Sequence, residues 1–298
     1  MTSPRIPAMD VLRGCAVMGI LWMNITAFAQ PQSAYFNPAA SGPLGIGDIA
    51  FWMSSLILFD GKMRALFAML FGASMLLLID REEMAGRDGR RSQMVRAGWL
   101  FVIGMAHYLL LWWGDILAIY AVVSLVALGF VRQEPMALVK SAFLIFLFHF
   151  LICAAFLATL YAWGHAAALP GAGTATRNGF ATFMASLADP ASPGVRADIA
   201  TYRSGFGTIL SHKLASFPGE WFWGFMFTAL DVLGFMLLGM AMLKGGFLTG
   251  RWPADQYWRT ARHCFLIGLP PMIGLAIWII CLLYTSDAAD HLLCVDLG

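Results

Sequence analysis

Charged residues are scarce in this sequence. Aspartate, glutamate, lysine and arginine make up 12% of its 298 residues, against about 25% in soluble domains. Hydrophobic residues reach 60%, and the mean hydropathy is +0.73. This composition excludes an ordinary soluble domain, and the long apolar runs predict several membrane-spanning helices. The net charge of +2 is too small to indicate a nucleic-acid partner.

The sequence also lacks the usual signatures of metal and cofactor sites. Its five cysteines are scattered, without a CxxC pair or a cluster with histidine, so they indicate neither a disulfide framework nor a zinc site. No glycine-rich phosphate loop of the GxGxxG type, or of the GxxxxGK type followed by serine or threonine, occurs. We therefore expect no metal and no covalently bound cofactor.

The apolar runs predict an all-α, polytopic bundle with about seven spanning helices. These helices are expected at about 10–29, 64–79, 94–112, 116–131, 137–163, 221–243 and 263–280. The run 48–59 is too short to cross a hydrocarbon core of ~30 Å, so we expect it to re-enter or to lie along the interface. The stretch 164–218, rich in glycine, proline and alanine, is predicted to be an outer loop with a surface helix at 197–217.

Arginines set the predicted orientation. The most basic stretch follows the second spanning helix and contains Arg81, Arg87, Arg90, Arg91 and Arg96. With a cytoplasmic N-terminus, the positive-inside rule is satisfied only if the run 64–79 crosses and the run 48–59 does not. We therefore expect a cytoplasmic N-terminus and a cytoplasmic position for this stretch. The first helix also resembles a signal peptide, but Asp10 and Arg13 within it favour a retained helix.

The last stretch of the chain differs from the rest. Residues 281–290 read CLLYTSDAAD, which is one reading frame of a common transposon-based sequencing adapter. We expect residues 281–298 to be artefactual and the natural protein to continue further. The alternative is a genuine short polar tail.

Three predicted helices carry two polar residues eleven positions apart, which places both on one face. The pairs are Arg13 with Asn24, Arg96 with His107, and Glu220 with Asp231. A charged side chain at a helix end can reach the membrane interface by itself. The deeper residue of each pair is therefore the stronger candidate for a functional role. An acid in mid-membrane, such as Asp231, indicates a proton relay, a cation site or a general base. The alternative is an acid paired with an arginine that fixes helix packing.

Other polar residues have two interpretations each. His107 lies near Asp115 across a short turn, and it either exchanges protons or bonds a neighbouring helix. Lys62 and Arg64 are either interfacial anchors or a site for a phosphate or carboxylate. We expect structural roles for Asp10, paired with Arg13 at one helix end, and for His149 in an aromatic run. Surface positions are predicted for Tyr202, Arg203, His212 and Lys213.

Several blocks of sequence resemble one family of bacterial membrane proteins. They are DVLRG at 10–14 with Asn24, GKMRALFAMLFGA at 61–73, HYLLLWWGDILAIYA at 107–121, YRSG at 202–205 and LLGMA at 237–241. These blocks resemble the YeiB-like proteins, which carry the domain of unknown function 418. The resemblance implies a multi-pass protein of the bacterial inner membrane, of a family whose function is not established and whose members continue with further helices.

The start of the chain is more remotely similar to transmembrane acyltransferases of the heparan-glucosaminide acetyltransferase type. Their opening pattern is matched here by Arg5, Asp10, Arg13 and Gly14. An asparagine at the end of their first helix is matched by Asn24. This resemblance implies acyl transfer. Those enzymes use a histidine in the loop after that helix, and residues 30–47 contain none, so His107 would have to act instead.

Three functions are therefore open. The first is transfer of an acyl group from an acyl-CoA substrate, with a histidine or an acid as base. The second is transport of a small molecule, coupled to protons, along the polar helix faces. The third is a membrane scaffold whose polar residues only specify packing. If the protein transfers acyl groups, we expect the substrate to be bound by Arg13, Lys62, Arg64 and Asp115. We then expect catalysis by Asn24, His107 and Asp231.

Overall fold

The protein is all-α, as the sequence predicts. The computed structural model describes residues 6–30, 32–35, 38, 45–188 and 192–287, and no strand occurs in them. A π-helical turn, Ser55–Phe59, extends the second helix. The helices are α1 (Pro7–Ala29), α2 (Ile46–Ser54), α3 (Lys62–Met84), α4 (Gly89–Leu110), α5 (Leu117–Ala127), α6 (Pro135–Ala168), α7 (Thr174–Ala188), α8 (Pro193–Tyr202), α9 (Phe206–Lys244) and α10 (Ala254–Asp287).

Several helices are suited to a bilayer. Among the described residues, five segments are long and apolar enough to cross a membrane: Pro7–Phe28, Ile46–Met84, Pro135–Ala168, Phe206–Lys244 and Ala254–Cys281. The shorter segment Leu117–Phe130 is apolar too. The chain is therefore a membrane protein, while the count of about seven crossings and the placement of 48–59 stay predictions.

Helices α3 and α9 form the centre of the bundle. Their main chains touch where they cross, because a Cβ atom added at Gly72 would overlap the carbonyl of Met236, and one added at Gly239 would overlap the carbonyl of Met69. Such close approach is what small residues permit between membrane helices. The neighbouring residues are fully buried, as for Leu237.

The helices alternate in direction, so that one end of the bundle carries the basic loops. The start of α4 packs at Gly89 against Ile79 near the end of α3. Lys244 at the end of α9 donates to the carbonyl oxygens of Val131 (2.8 Å) and Gln133 (2.7 Å), just after α5. We call this the basic end. It is the end that the arginine-rich loop predicts to be cytoplasmic, and that orientation stays a prediction.

The segment predicted as an outer loop, 164–218, is largely helical. It holds α7, α8 and the first turns of α9, and the surface helix predicted at 197–217 is divided between α8 and α9. Helix α9 begins at Phe206, well before the predicted start at 221, and continues through Pro218. A Pro-Gly pair typically ends a helix, which is why the sequence misplaces this boundary.

The C-terminal tail predicted to be artefactual, 281–298, lies largely outside the described residues. Helix α10 continues to Asp287. The expected origin of this tail stays a prediction.

Candidate functional site

A cavity of about 350 Å³ lies between α1, α3, α4 and α5. We call it the arginine cleft. Its polar lining consists of Arg13, Ser74 and Arg96. Its apolar and aromatic lining consists of Phe67, Phe71, Leu100, Leu117 and Tyr120.

Arg13 enters the cleft from the first part of α1. Its Nη1 atom donates to Asp10 Oδ1 at 3.1 Å, and its Nη2 atom donates to Ser74 Oγ at 2.8 Å. The predicted ion pair between Asp10 and Arg13 is therefore present. Asp10 offsets part of the positive charge of Arg13 and, together with Ser74, holds the guanidinium in place.

Arg96 reaches the same cleft from α4. Its guanidinium carbon lies 4.8 Å from the ring centroid of Phe71, a cation–π contact. No ion pair of Arg96 is found within the described part of the chain. The cleft thus holds two guanidinium groups and one neighbouring carboxylate, an arrangement that suits an anion with two or more oxygen acceptors.

Tyr120 of α5 connects the cleft to the centre of the bundle. It is 1% exposed, and its ring packs edge-on against Phe71 with 5.6 Å between centroids. Its hydroxyl donates to the main-chain oxygen of Arg64 at 3.1 Å. Tyr120 therefore fixes the first turn of α3 from within the cleft.

Arg64 and Asp231 form an ion pair between α3 and α9. Their side chains are 34% and 12% exposed, respectively. The mid-helix acid thus has an arginine partner, which is the contact that the packing alternative requires. Neither side chain lines the arginine cleft.

His107 and Asp115 form a second group, where α4 ends and α5 begins. His107 Nδ1 lies 3.0 Å from Asp115 Oδ2. Asp115 Oδ1 accepts the main-chain N–H of Ala118 at 3.0 Å, so this carboxylate caps the first turn of α5. Burial raises the pKa of Asp115, while the Ala118 N–H and the neighbouring His107 oppose that rise. These residues stand apart from the cleft lining.

We expect Asp115→Asn to be tolerated and Asp115→Ala to be destabilising. Asparagine keeps the oxygen that caps α5, so the free energy of unfolding should change by less than about 1 kcal/mol, whereas alanine should cost about 1–2 kcal/mol. Because the folded-state pKa is raised, the wild-type carboxyl favours the folded state at low pH and loses that contribution as pH rises through this pKa. Asparagine should remove this pH dependence.

Thermal denaturation in detergent micelles, at acidic and at neutral pH, measures both effects. An asparagine variant as unstable as the alanine variant would show that the charge, and not the cap, is what matters.

The remaining predicted site residues are dispersed. Lys62 Nζ donates to the carbonyl oxygens of Leu56 (3.4 Å) and Asp60 (3.3 Å), and so closes the turn before α3. Asn24 is half-buried on α1 and is not part of the cleft lining. His149 contacts Cys153 Sγ, one turn along α6, at 3.7 Å. Of the residues predicted for binding or catalysis, Arg13 alone lines the cleft.

Three cleft residues with polar groups were missed as site residues. Arg96 had a sequence signal, because it shares a helix face with His107, but a charge near a helix end is more simply interpreted as interfacial. Ser74 lies in an apolar run and has no signal of its own. Tyr120 falls within the block 107–121, where nothing distinguishes it from its apolar neighbours.

The predicted surface position of Lys213 is wrong. Lys213 is 2% exposed, and its Nζ atom donates to the main-chain oxygen of Tyr108 at 3.1 Å. The Tyr108 hydroxyl donates to Glu220 Oε2 at 3.0 Å. The early start of α9 is the cause, since it brings Lys213 against the end of α4.

Three relatives of this chain have names that describe them as uncharacterized. No family model matches the sequence, and no solved structure matches it. The chain is 31% identical over 268 residues to YeiB of Escherichia coli K12, a match that covers 89% of the chain and 62% of YeiB. It is 30% identical over 165 residues to YxaH of Bacillus subtilis 168, covering 51% of the chain and 40% of YxaH.

A third relative, an uncharacterized 39.9 kDa protein of Bacillus acidopullulyticus, is 27% identical over 128 residues, covering 43% of the chain and 34% of that protein. The chain thus spans about three fifths of the length of YeiB. These similarities support a YeiB-like family, and the apolar helices make the chain a membrane protein of unknown function.

Proposed function

We propose that this chain is a YeiB-like protein of the bacterial inner membrane that binds a phosphate- or carboxylate-bearing small molecule in the arginine cleft. One observation carries the proposal: Arg13 and Arg96 enter one cavity from two different helices. A bound anion would accept hydrogen bonds from both guanidinium groups, and such charge-assisted bonds are about twice as strong as neutral ones.

The electrostatics of the cleft support this proposal. Two like charges in a cavity walled by aromatic and aliphatic side chains repel each other more strongly than in water. Asp10 offsets part of the charge of Arg13, and Ser74 contributes only a neutral oxygen. An anionic ligand would supply the missing negative charge.

Acyl transfer is an enzymatic form of the same proposal, because acyl-CoA carries phosphate groups. We propose binding ahead of transfer, since neither His107 nor Asp231 lines the cleft. Asp231 is in addition paired with Arg64. Transport and a purely structural role stay predictions of the sequence.

The proposal predicts that Arg96→Gln weakens anion binding. Purified protein in detergent would be titrated with coenzyme A and, separately, with inorganic phosphate, and binding measured by isothermal calorimetry. Because hydrogen bonds to charged groups contribute about 1.5–3 kcal/mol, we expect affinity to fall by about tenfold or more. Raising the salt concentration should weaken wild-type binding as well.

The matched control is Arg91→Gln on the same helix. Arg91 is exposed and is not part of the cleft lining, so this variant should bind as the wild type does. Equal affinities for the Arg96→Gln and Arg91→Gln variants, or no binding of either probe by the wild type, would refute the proposal.

A further inference from the structure

We infer that the ligand of the arginine cleft is a phosphate-headed membrane lipid that enters sideways from the bilayer, between α1 and α4. The inference rests on the proposed function for recognition of the head group. It adds the source of the ligand and the part of the cleft that holds its chain.

The first observation is the polarity of the cleft along the membrane normal. On α3, Ser74 lies seven residues, or about 10 Å, closer to the basic end than Phe67. On α4, Arg96 lies four residues, or about 6 Å, closer to the basic end than Leu100. The charged lining thus lies toward the end of the bundle, and the apolar lining lies toward its middle.

A lipid in the leaflet at the basic end has the same polarity. Its phosphate lies at the interface, and its chains extend toward the bilayer centre. With the phosphate between Arg13 and Arg96, the start of a chain would run along Leu100 and Leu117. An anion without an apolar group gains nothing from that apolar half of the cleft.

The second observation is the mouth of the cleft. Helix α1 packs on α3, and α4 packs on α3 and α5, whereas α1 and α4 make little contact with each other. The outward faces of both helices are apolar and exposed, as at Val17 and Met18 on α1 and at Val95 and Trp99 on α4. The gap between the two helices is therefore open to the outside of the described bundle, on an apolar surface that suits lipid chains.

The third observation is size. A volume of about 350 Å³ lies at the small end of the range of ~300–1,000 Å³ in which pockets enclose a whole small molecule. A lipid with two chains needs more room than the cleft offers. It fits only if its head group and the beginning of a chain lie inside while the rest stays in the bilayer, which the open mouth allows.

The test compares three related probes on the delipidated protein: phosphatidic acid, glycerol 3-phosphate and diacylglycerol. They provide head group and chains, head group alone, and chains alone. Binding is measured by native mass spectrometry and by the shift in unfolding temperature. We expect phosphatidic acid to bind at least tenfold more tightly than glycerol 3-phosphate, and diacylglycerol not to bind.

Two variants on α4 test where the acyl chain of the lipid lies. Leu100→Trp fills the apolar half of the cleft, so it should weaken phosphatidic acid binding at least tenfold and leave glycerol 3-phosphate binding unchanged. Val102→Trp adds the same ring at an exposed position of the same helix and should leave both affinities unchanged. The comparison of the three probes on wild-type protein stands even if the Leu100 variant does not fold.

The outcomes separate the two proposals. Equal affinity for phosphatidic acid and glycerol 3-phosphate, with no effect of Leu100→Trp, would overturn the lipid inference and leave the proposed anion binding intact. Diacylglycerol bound as tightly as phosphatidic acid would overturn head-group recognition. Absence of binding by both phosphate-bearing probes would overturn the lipid inference, and the titrations with coenzyme A and inorganic phosphate then decide whether the proposed anion binding stands.

Discussion

Replacing Gly239 by valine is expected to lower the free energy of unfolding by about 3 kcal/mol, at the upper end of the usual cost of overpacking. Gly239 lies where α9 crosses α3, and a Cβ atom there would overlap the main-chain carbonyl of Met69. A carbonyl of a helix cannot move aside as the end of a flexible side chain can. The two helices would have to separate along the crossing, where Leu237 and Met240 are fully buried.

Gly224→Val provides the matched control for this experiment. Gly224 lies on the same helix, is exposed, and has no atom near the position of an added Cβ. Within a helix, valine is more favourable than glycine by less than about 1 kcal/mol, so this variant should be at least as stable as the wild type. Unfolding in detergent titrated with sodium dodecyl sulfate gives both values. Equal stabilities of the Gly239 and Gly224 variants would rule out the close crossing.

The second large effect is expected for Asp231→Leu. This change leaves the guanidinium of Arg64 between α3 and α9 without its counter-charge. Removing one partner of a buried ion pair typically costs 3–5 kcal/mol. Because Arg64 is 34% exposed, we expect the lower end of that range, about 3 kcal/mol.

The double variant Arg64→Met with Asp231→Leu is the informative comparison. Replacing both charges by apolar side chains is often close to neutral, so most of the lost stability should return. The exposed pair of Arg259 and Asp255, at 3.3 Å with side chains 65% and 66% exposed, serves as control. Asp255→Leu should cost less than about 1 kcal/mol. The buried-pair interpretation fails if the double variant is no more stable than the single variant.

The sequence predicts the class of fold well because composition and apolar runs act locally. An apolar run of sufficient length forms a helix whatever its neighbours are, and the all-α bundle follows from that. Boundaries that depend on tertiary contacts are not predicted in this way. Helix α9 continues through Pro218, in a region where Lys213 and Glu220 contact Tyr108. No local sequence pattern predicts those contacts.

At the candidate site, too, the sequence predicts local features but not the tertiary contacts. Periodicity tells which residues share a helix face, and it marks Arg13 and Asp231 because they interrupt apolar helices. It does not tell which helix that face meets. Arg13 and Arg96 come together because both α1 and α4 pack on α3, and the partner of Asp231 lies on α3, far away in sequence. For this reason the sequence shows which polar residues share a helix face but not which of them meet across helices that are distant in sequence.

Helices α6 and α9 give the molecule two unequal sides. At 34 and 39 residues they measure about 51 and 58 Å, against a hydrocarbon core of ~30 Å. Both helices have one end at the short loops of the basic end. The part of each that exceeds the hydrocarbon core, together with α7 and α8, therefore projects on the opposite side. A protease or an impermeant label added to sealed vesicles reaches this projecting part from one side only. The shape of the protein thus supplies its own marker of sidedness, which is independent of whatever the cleft binds.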